Sequence, residues 1–140
     1  MADTTPITVE TTVNVPIAKA WACWTEPACI MQWNAASDDW HTPRATNDPR
    51  TGGKFSARME AKDGSMGFDF EGVYSEVVPE KHIAYAMADG RKVTVTFTAK
   101  GGKTHVVETF DPETENPPEF QKAGWQSIID NYAKHVAAHR

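Results

Sequence analysis

The second half of the chain alternates between glycine-containing turns and runs with a two-residue hydrophobic period, and this pattern restricts the fold more than any other feature. Turns at residues 63–64, 88–90 and 101–102 separate these runs. Such runs predict antiparallel strands joined by hairpins. After residues 111–112 the period becomes that of a helix, which we expect to extend from Asn116 to about residue 138.

The turns also predict which residues face each other across each hairpin. An Asp-Gly loop at 63–64 places Met59 opposite Phe68. A three-residue bulged loop gives the next hairpin a consistent apolar face, with Tyr85 opposite Val93. Because a slip of one residue would exchange the two faces of a strand, these registers predict which side chains point toward the core.

One carboxylate falls on the apolar face of the last hairpin. The turn at 101–102 places Glu108 opposite Val95, on the same face as Val106 and Phe110. A buried carboxylate without a partner costs several kcal/mol or shifts its pKa. We therefore expect Glu108 to meet a partner, water or a ligand.

The first third of the chain adds one strand and two short helices. Residues 7–15 alternate with the period of a half-buried strand. Apolar residues then recur at helical spacing from Ile17 to Trp24, and a second short helix is predicted from Pro27 to Trp33. The whole chain, residues 1–140, is predicted to form a single α+β domain.

Composition and charge exclude several classes of function. The net charge is −5 and no run of basic residues is present, so nucleic acid is not an expected partner. No segment approaches the roughly 20 apolar residues of a membrane span, and the first residues lack the pattern of a secretory leader. We predict a cytosolic protein that contacts neither nucleic acid nor membrane.

Two cysteines and five histidines give no pattern of metal ligands. Cys23 and Cys29 lie in apolar helical sequence and are too few for a disulfide framework, so they are predicted to be reduced core thiols. The histidines are scattered singly along the chain. The sequence predicts no metal and no cofactor.

Four segments carry a resemblance to a known superfamily. They are VPIAKAWACWTEPACIMQW, RTGGKFSARMEAKDGSMGFDFEGVYSEVVPEKHIAY, VTVTF with GGKTHVVETFD, and KAGWQSIIDNYAKHVA. With them the chain resembles the START-like (SRPBCC) superfamily, and more closely the branch similar to the C-terminal domain of activators of heat-shock-chaperone ATPase. The resemblance implies a helix-grip fold, in which a curved antiparallel sheet of about six to seven strands wraps around a long C-terminal helix.

The resemblance also implies an apolar cavity between that helix and the sheet, and the inward registers supply its candidate lining. Trp33 and Trp40 are expected to flank the entrance, with the polar loop 34–39 over solvent. Ordinary core packing is the alternative for every member of the predicted site. The predicted ligand-binding residues are Trp33, Trp40, Phe55, Met59, Phe68, Phe70, Tyr85, Met87, Phe97, Glu108, Trp125 and Ile129.

These observations lead to a main hypothesis and two alternatives. The main hypothesis is a protein that binds a small hydrophobic or aromatic molecule, with no assigned catalytic residue. One alternative is a co-chaperone-like activator that contacts a heat-shock ATPase. The other is a cyclase-like or hydrolase-like enzyme that uses the cavity, with His41 and Glu108 as candidate acid–base groups. An exposed apolar rim around Trp33 and Trp40 would equally suit a homodimer contact.

Overall fold

A seven-stranded antiparallel sheet curls around one long helix in the computed structural model of the protein, which describes residues 5–35 and 37–138. The spatial order of the strands is β1-β7-β6-β5-β4-β3-β2, so β1 and β2 form the edges. This arrangement confirms the predicted α+β helix-grip fold. In chain order the elements are β1 (Ile7–Val13), α1 (Ile17–Thr25), α2 (Pro27–Trp33), β2 (Trp40–Asn47), β3 (Lys54–Ala61), β4 (Gly67–Val78), β5 (His82–Met87), β6 (Lys92–Lys100), β7 (Lys103–Phe110) and α3 (Pro118–Ala138).

The three hairpins have the registers predicted from their turns. Met59 pairs with Phe68, Tyr85 with Val93, and Glu108 with Val95. Gly90 ends the turn between β5 and β6 with a φ of 91°, a left-handed conformation that glycine adopts without steric cost. The inward and outward faces of the sheet were therefore predicted correctly from turn chemistry.

The helix α3 is amphipathic, and its buried side packs into the core. Ile129, Tyr132 and Val136 are fully buried, whereas Glu119 and Lys122 are exposed. None of the helices within the described residues is both long and apolar enough to cross a membrane.

Aromatic packing joins α3 to the two short helices. The Tyr132 ring lies 4.9 Å from Trp24 and 5.1 Å from Trp33, centroid to centroid, in edge-to-face arrangements. The Tyr132 hydroxyl donates a hydrogen bond of 2.7 Å to the backbone oxygen of Ala20. These contacts fill the space between α3, α1 and α2.

The prediction of two reduced cysteines is wrong, because Cys23 and Cys29 form a disulfide. The chain turns between α1 and α2 at Glu26, which ends one helix and precedes the next. This turn brings the two Cα atoms to 5.2 Å, within the range that a disulfide requires. Helical spacing predicted the burial of Cys23, but it did not predict that the helices fold back on each other.

We expect the substitution Tyr132→Phe to lower the free energy of unfolding by about 1 kcal/mol, because it removes a buried hydrogen bond and leaves the ring in place. Urea denaturation measures the change. The matched control is Tyr85→Phe, since the Tyr85 side chain is buried but its hydroxyl makes no hydrogen bond to any described residue. Equal effects of the two substitutions would contradict this account of Tyr132.

Candidate functional site

A cavity of about 500 Å³ lies between the N-terminal half of α3 and strands β2 to β5. Volumes of this size are typical of sites for small organic ligands. Nine of the twelve residues predicted to bind a ligand line it: Trp33, Trp40, Phe55, Met59, Phe68, Phe70, Tyr85, Glu108 and Trp125. The fold thus brings these nine side chains, from five strands and two helices, around one open volume.

Three of the predicted residues do not line the cavity. Met87 and Ile129 are buried in the surrounding core. Phe97 lies under α1, with its ring centroid 5.3 Å from Trp21 and 5.9 Å from Trp24. Strand register predicted that Phe97 faces inward, but not that α1 covers that end of the sheet.

The floor of the cavity is a group of packed aromatic rings. The Phe55 centroid lies 4.7 Å from Tyr85, 5.3 Å from Tyr74 and 5.7 Å from Phe70. Gly72 faces Phe55 across the strands, and a Cβ atom at this position would lie 2.7 Å from the Phe55 ring. Because glycine leaves that space free, the Phe55 ring packs directly over the β4 backbone.

The roof of the cavity is the first half of α3. Trp125 stacks on Phe110 with a centroid distance of 3.9 Å and an interplanar angle of 10°, which ties the helix to β7. Gly124 also borders the cavity, and a Cβ atom added there would meet nothing within 4 Å. The space next to Gly124 is therefore open.

The two tryptophans expected at the entrance both border the cavity, but they differ in exposure. Trp33 is buried and donates from Nε1 to the backbone oxygen of Cys23 at 3.0 Å. Trp40 is half-buried, with its ring centroid 6.0 Å from Phe68. The exposed apolar side chains of the rim are instead Phe68, at 48% exposure, and Phe120, at 67%.

The loop between these tryptophans is held on both sides. Thr42 Oγ1 donates a hydrogen bond of 2.6 Å to the backbone oxygen of Asn34, and Asn131 Nδ2 donates to that of Ala35. Asn34 and Ser37 line the cavity from this loop, whereas Ala36 lies outside the described residues. Sequence reasoning placed a polar loop here but did not predict that α3 holds it.

A polar cluster that sequence reasoning missed lies beside the start of α3. Gln121 is buried and accepts a hydrogen bond of 2.8 Å from the backbone amide of Glu113. Its Nε2 donates to the backbone oxygens of Glu113 and Asn116, at 3.1 and 2.7 Å. These bonds fix the segment before α3 against the cavity. No sequence pattern pointed to Gln121, because its partners are backbone groups of a loop.

Glu108 is buried among apolar side chains, as its register predicted. Its side chain borders the cavity, its exposure is 6%, and it makes no hydrogen bond or ion pair with any described residue. Loss of solvation raises the pKa of Glu108 from 4.5 to about 8. At neutral pH the side chain is therefore mostly the uncharged acid.

The tyrosines of the floor also keep their protons. Burial raises the pKa of Tyr74 to about 12, and the Tyr74 hydroxyl donates a 2.5 Å hydrogen bond to Asn47 Oδ1. Burial, and then the neighbouring charge of Glu108, raise the pKa of Tyr85 well above 10. Within the described part of the chain the Tyr85 hydroxyl makes no hydrogen bond.

His41, the other candidate acid–base group, lies outside the cavity lining. Its Nε2 atom is 3.9 Å from Glu60 Oε1 on the neighbouring strand, and both side chains are partly exposed. The fold therefore does not bring His41 and Glu108 to a common reaction volume.

One cluster of soft ligands lies away from the cavity. The sulfur atoms of Cys23 and Cys29 and a ring nitrogen of His135 lie within 4.8 Å of one another. The two sulfurs are bonded to each other in the disulfide, so neither is a thiolate that can bind a metal.

We expect the stability of the wild-type protein to fall as pH rises from about 5 to about 8. The folded state favours the neutral acid of Glu108, so this contribution is complete below the unfolded pKa of 4.5 and is lost as pH passes the folded pKa of about 8. The slope is at most about 1.4 kcal/mol per pH unit.

The substitution Glu108→Gln tests this expectation. It should match the wild type near pH 5 and be more stable than the wild type at pH 8.5, as measured by urea denaturation. Glu71→Gln, at an exposed position on β4, is the control and should show no such difference. A Glu108→Gln effect that is the same at both pH values would contradict the burial argument.

Comparison with known proteins places the chain in a family. The sequence model described as Activator of Hsp90 ATPase homolog 1-like protein matches residues 14–137. No curated protein matches the sequence. Among solved structures, the AHSA1-like protein from Aeromonas hydrophila is 44% identical and superposes with a TM-score of 0.90, over 96% of this chain and 94% of that one.

Two further solved structures extend the comparison. A protein from Cytophaga hutchinsonii is 50% identical, with a TM-score of 0.82 over 95% of this chain and 92% of that one. A protein from Nitrosomonas europaea has a TM-score of 0.81 over 96% of both chains at 18% identity, a likeness of fold alone. The chain therefore belongs to the family of Activator of Hsp90 ATPase homolog 1-like proteins, within the START-like superfamily whose helix-grip fold it shares.

Proposed function

We propose that this protein binds a small, largely apolar or aromatic molecule in the cavity between α3 and the sheet. The observation that carries the proposal is an open volume of about 500 Å³ bordered mainly by aromatic and aliphatic side chains. Protein interiors are normally packed without voids of this size, so an open volume needs an occupant or a function.

The rim supports the same function. Phe68 and Phe120 border the cavity and are more exposed than most large apolar side chains. Apolar residues that remain exposed beside an opening are typical of a binding site, because a ligand covers part of their surface. Binding would draw its free energy from buried apolar area, at about 25 cal/mol per Å².

Gly124 offers a way to block the cavity without disturbing its walls. A Gly124→Leu side chain would project into open space and occupy volume that a ligand needs. We expect it to remove about 60 Å² of ligand contact, or about 1.5 kcal/mol, which weakens binding about tenfold. The measurement is fluorescence titration with N-phenyl-1-naphthylamine, an apolar probe whose emission rises in a dry site.

Two variants control for effects on the helix. Gly124→Ala raises the helix propensity and adds little side-chain volume, so it should bind the probe almost as well as the wild type. Ala123→Leu adds a similar side chain at the neighbouring exposed position and should also leave binding unchanged. If the wild type gives no saturable signal, or if Gly124→Leu and Ala123→Leu bind equally well, the cavity is not the binding site.

A co-chaperone-like contact with a heat-shock ATPase is a second candidate, and the family assignment favours it. On this hypothesis the exposed side chains of Phe68 and Phe120 would contact the chaperone. The protein should then raise the steady-state ATPase rate of an Hsp90-class chaperone, and the double substitution Phe68→Ser and Phe120→Ser should reduce the effect at least about threefold. A rate that is unchanged by saturating protein would remove this candidate. An enzymatic role and a homodimer stay predictions.

A further inference from the structure

Two polar groups on the cavity wall have no partner among the described residues. They are the hydroxyl of Tyr85 and the carboxyl of Glu108, whose side chains are 7% and 6% exposed. The described part of the chain contains no fully enclosed side-chain nitrogen or oxygen that lacks a hydrogen bond. The polar atoms of Tyr85 and Glu108 must therefore be reached from the cavity.

The sheet places these two groups on one face, two strands apart. Tyr85 on β5 pairs with Val93, and Glu108 on β7 pairs with Val95. Both partners lie on β6, the strand between β5 and β7, and are two residues apart. Tyr85 and Glu108 therefore project from the same face of the sheet, on the two strands that flank β6. After burial, the charge of Glu108 also contributes to the raised pKa of Tyr85.

The other titratable groups around the cavity are already engaged. The Tyr74 hydroxyl donates to Asn47, and the Arg91 guanidinium bonds to Asp89 at 2.7 Å. The remaining titratable group of the lining is Glu113, which accepts a hydrogen bond from the Asn116 amide. None of the described α3 residues that line the cavity is titratable. They are Phe120, Gln121, Gly124, Trp125 and Ile128.

Arg91, a cation of the described lining, is paired with Asp89, and burial is the cause of the raised pKa of Glu108. Near pH 7 both Glu108 and Tyr85 therefore hold a proton and act as donors. Two uncharged donors in an apolar site match a ligand oxygen that accepts hydrogen bonds.

We propose that Tyr85 and Glu108 are a donor pair that selects carbonyl-bearing apolar molecules, such as aromatic ketones and quinones. This inference rests on the proposed function and adds the chemical class of the ligand. A hydrocarbon of the same shape leaves both donors unpaired, and a site built around donors discriminates against such ligands. An amine would require Glu108 to ionise in this apolar setting, where burial disfavours the carboxylate.

Three naphthalene derivatives of nearly equal shape separate these cases. They are 2-acetylnaphthalene, with a carbonyl oxygen, 2-isopropylnaphthalene, with none, and 1-(2-naphthyl)ethylamine, which is cationic near neutral pH. Titration calorimetry at pH 6 and at pH 9.5 measures the affinity of each. We expect the ketone to bind about tenfold more tightly than the hydrocarbon at pH 6. The preference should shrink at pH 9.5, because Glu108 loses its proton near pH 8.

Matched substitutions assign the effect to the two donors. Glu108→Gln keeps a donor and removes the titration, so the ketone preference should persist at both pH values. Glu108→Met and Tyr85→Phe each remove a donor, and each should reduce the preference. Tyr132→Phe removes a hydroxyl that bonds the backbone of Ala20 outside the cavity lining, and it is the control. For a ¹³C-labelled ketone, the carbonyl stretch should shift to higher frequency in Glu108→Met than in Glu108→Gln, a readout that a change in fold alone would not give.

Equal affinities for ketone and hydrocarbon in the wild type would overturn the donor pair and leave the apolar receptor intact. Tighter binding of the amine, abolished by Glu108→Gln, would also overturn it and would make Glu108 an anionic subsite. If none of the three compounds binds, the receptor function and the donor pair both fail.

Discussion

The structure depends on a mismatch in width between α3 and the sheet. The helix packs along β1 and contacts α1 and α2. The aromatic rings of Tyr132, Trp24 and Trp33 fill the space between these three helices. A single helix about 10 Å across cannot also cover seven strands spaced roughly 4.8 Å apart. The uncovered face of β2 to β5 therefore borders open volume rather than core.

That geometry explains why a carboxylic acid tolerates an apolar setting. A fully enclosed carboxylate would need an ion-pair partner. Glu108 lies at the cavity wall and avoids a buried charge by remaining protonated. The cost appears at high pH, where ionisation without a cation opposes folding.

Strand register and turn type predicted most of the fold, because hairpins are set by residues close in sequence. Gly90 and the Asp-Gly turn before β4 were enough to orient Tyr85 and Phe68, and the same logic placed Glu108 among apolar residues. The family resemblance then supplied the cavity, which local patterns alone do not give.

Features that depend on contacts between distant elements were not predicted. Phe97 and Ile129 have the right periodicity, but the positions of α1 and α3 decide that they are core and not lining. The disulfide of Cys23 and Cys29 requires the angle between two helices, and the role of Gln121 requires the path of a loop. Sequence periodicity reports which face is buried, but not which element covers it.

The position of Gly124 has a consequence for how a ligand would enter the cavity. Glycine has more backbone freedom than any other residue, and here it lies between the first turn of α3 and the half of the helix anchored by Tyr132. A bend at this point would carry Phe120 together with the segment that Gln121 binds, and it would widen the opening while the contacts of Tyr132 stayed in place. Exchange with solvent would then be a hinge motion of one helical turn, with no need to unfold the domain.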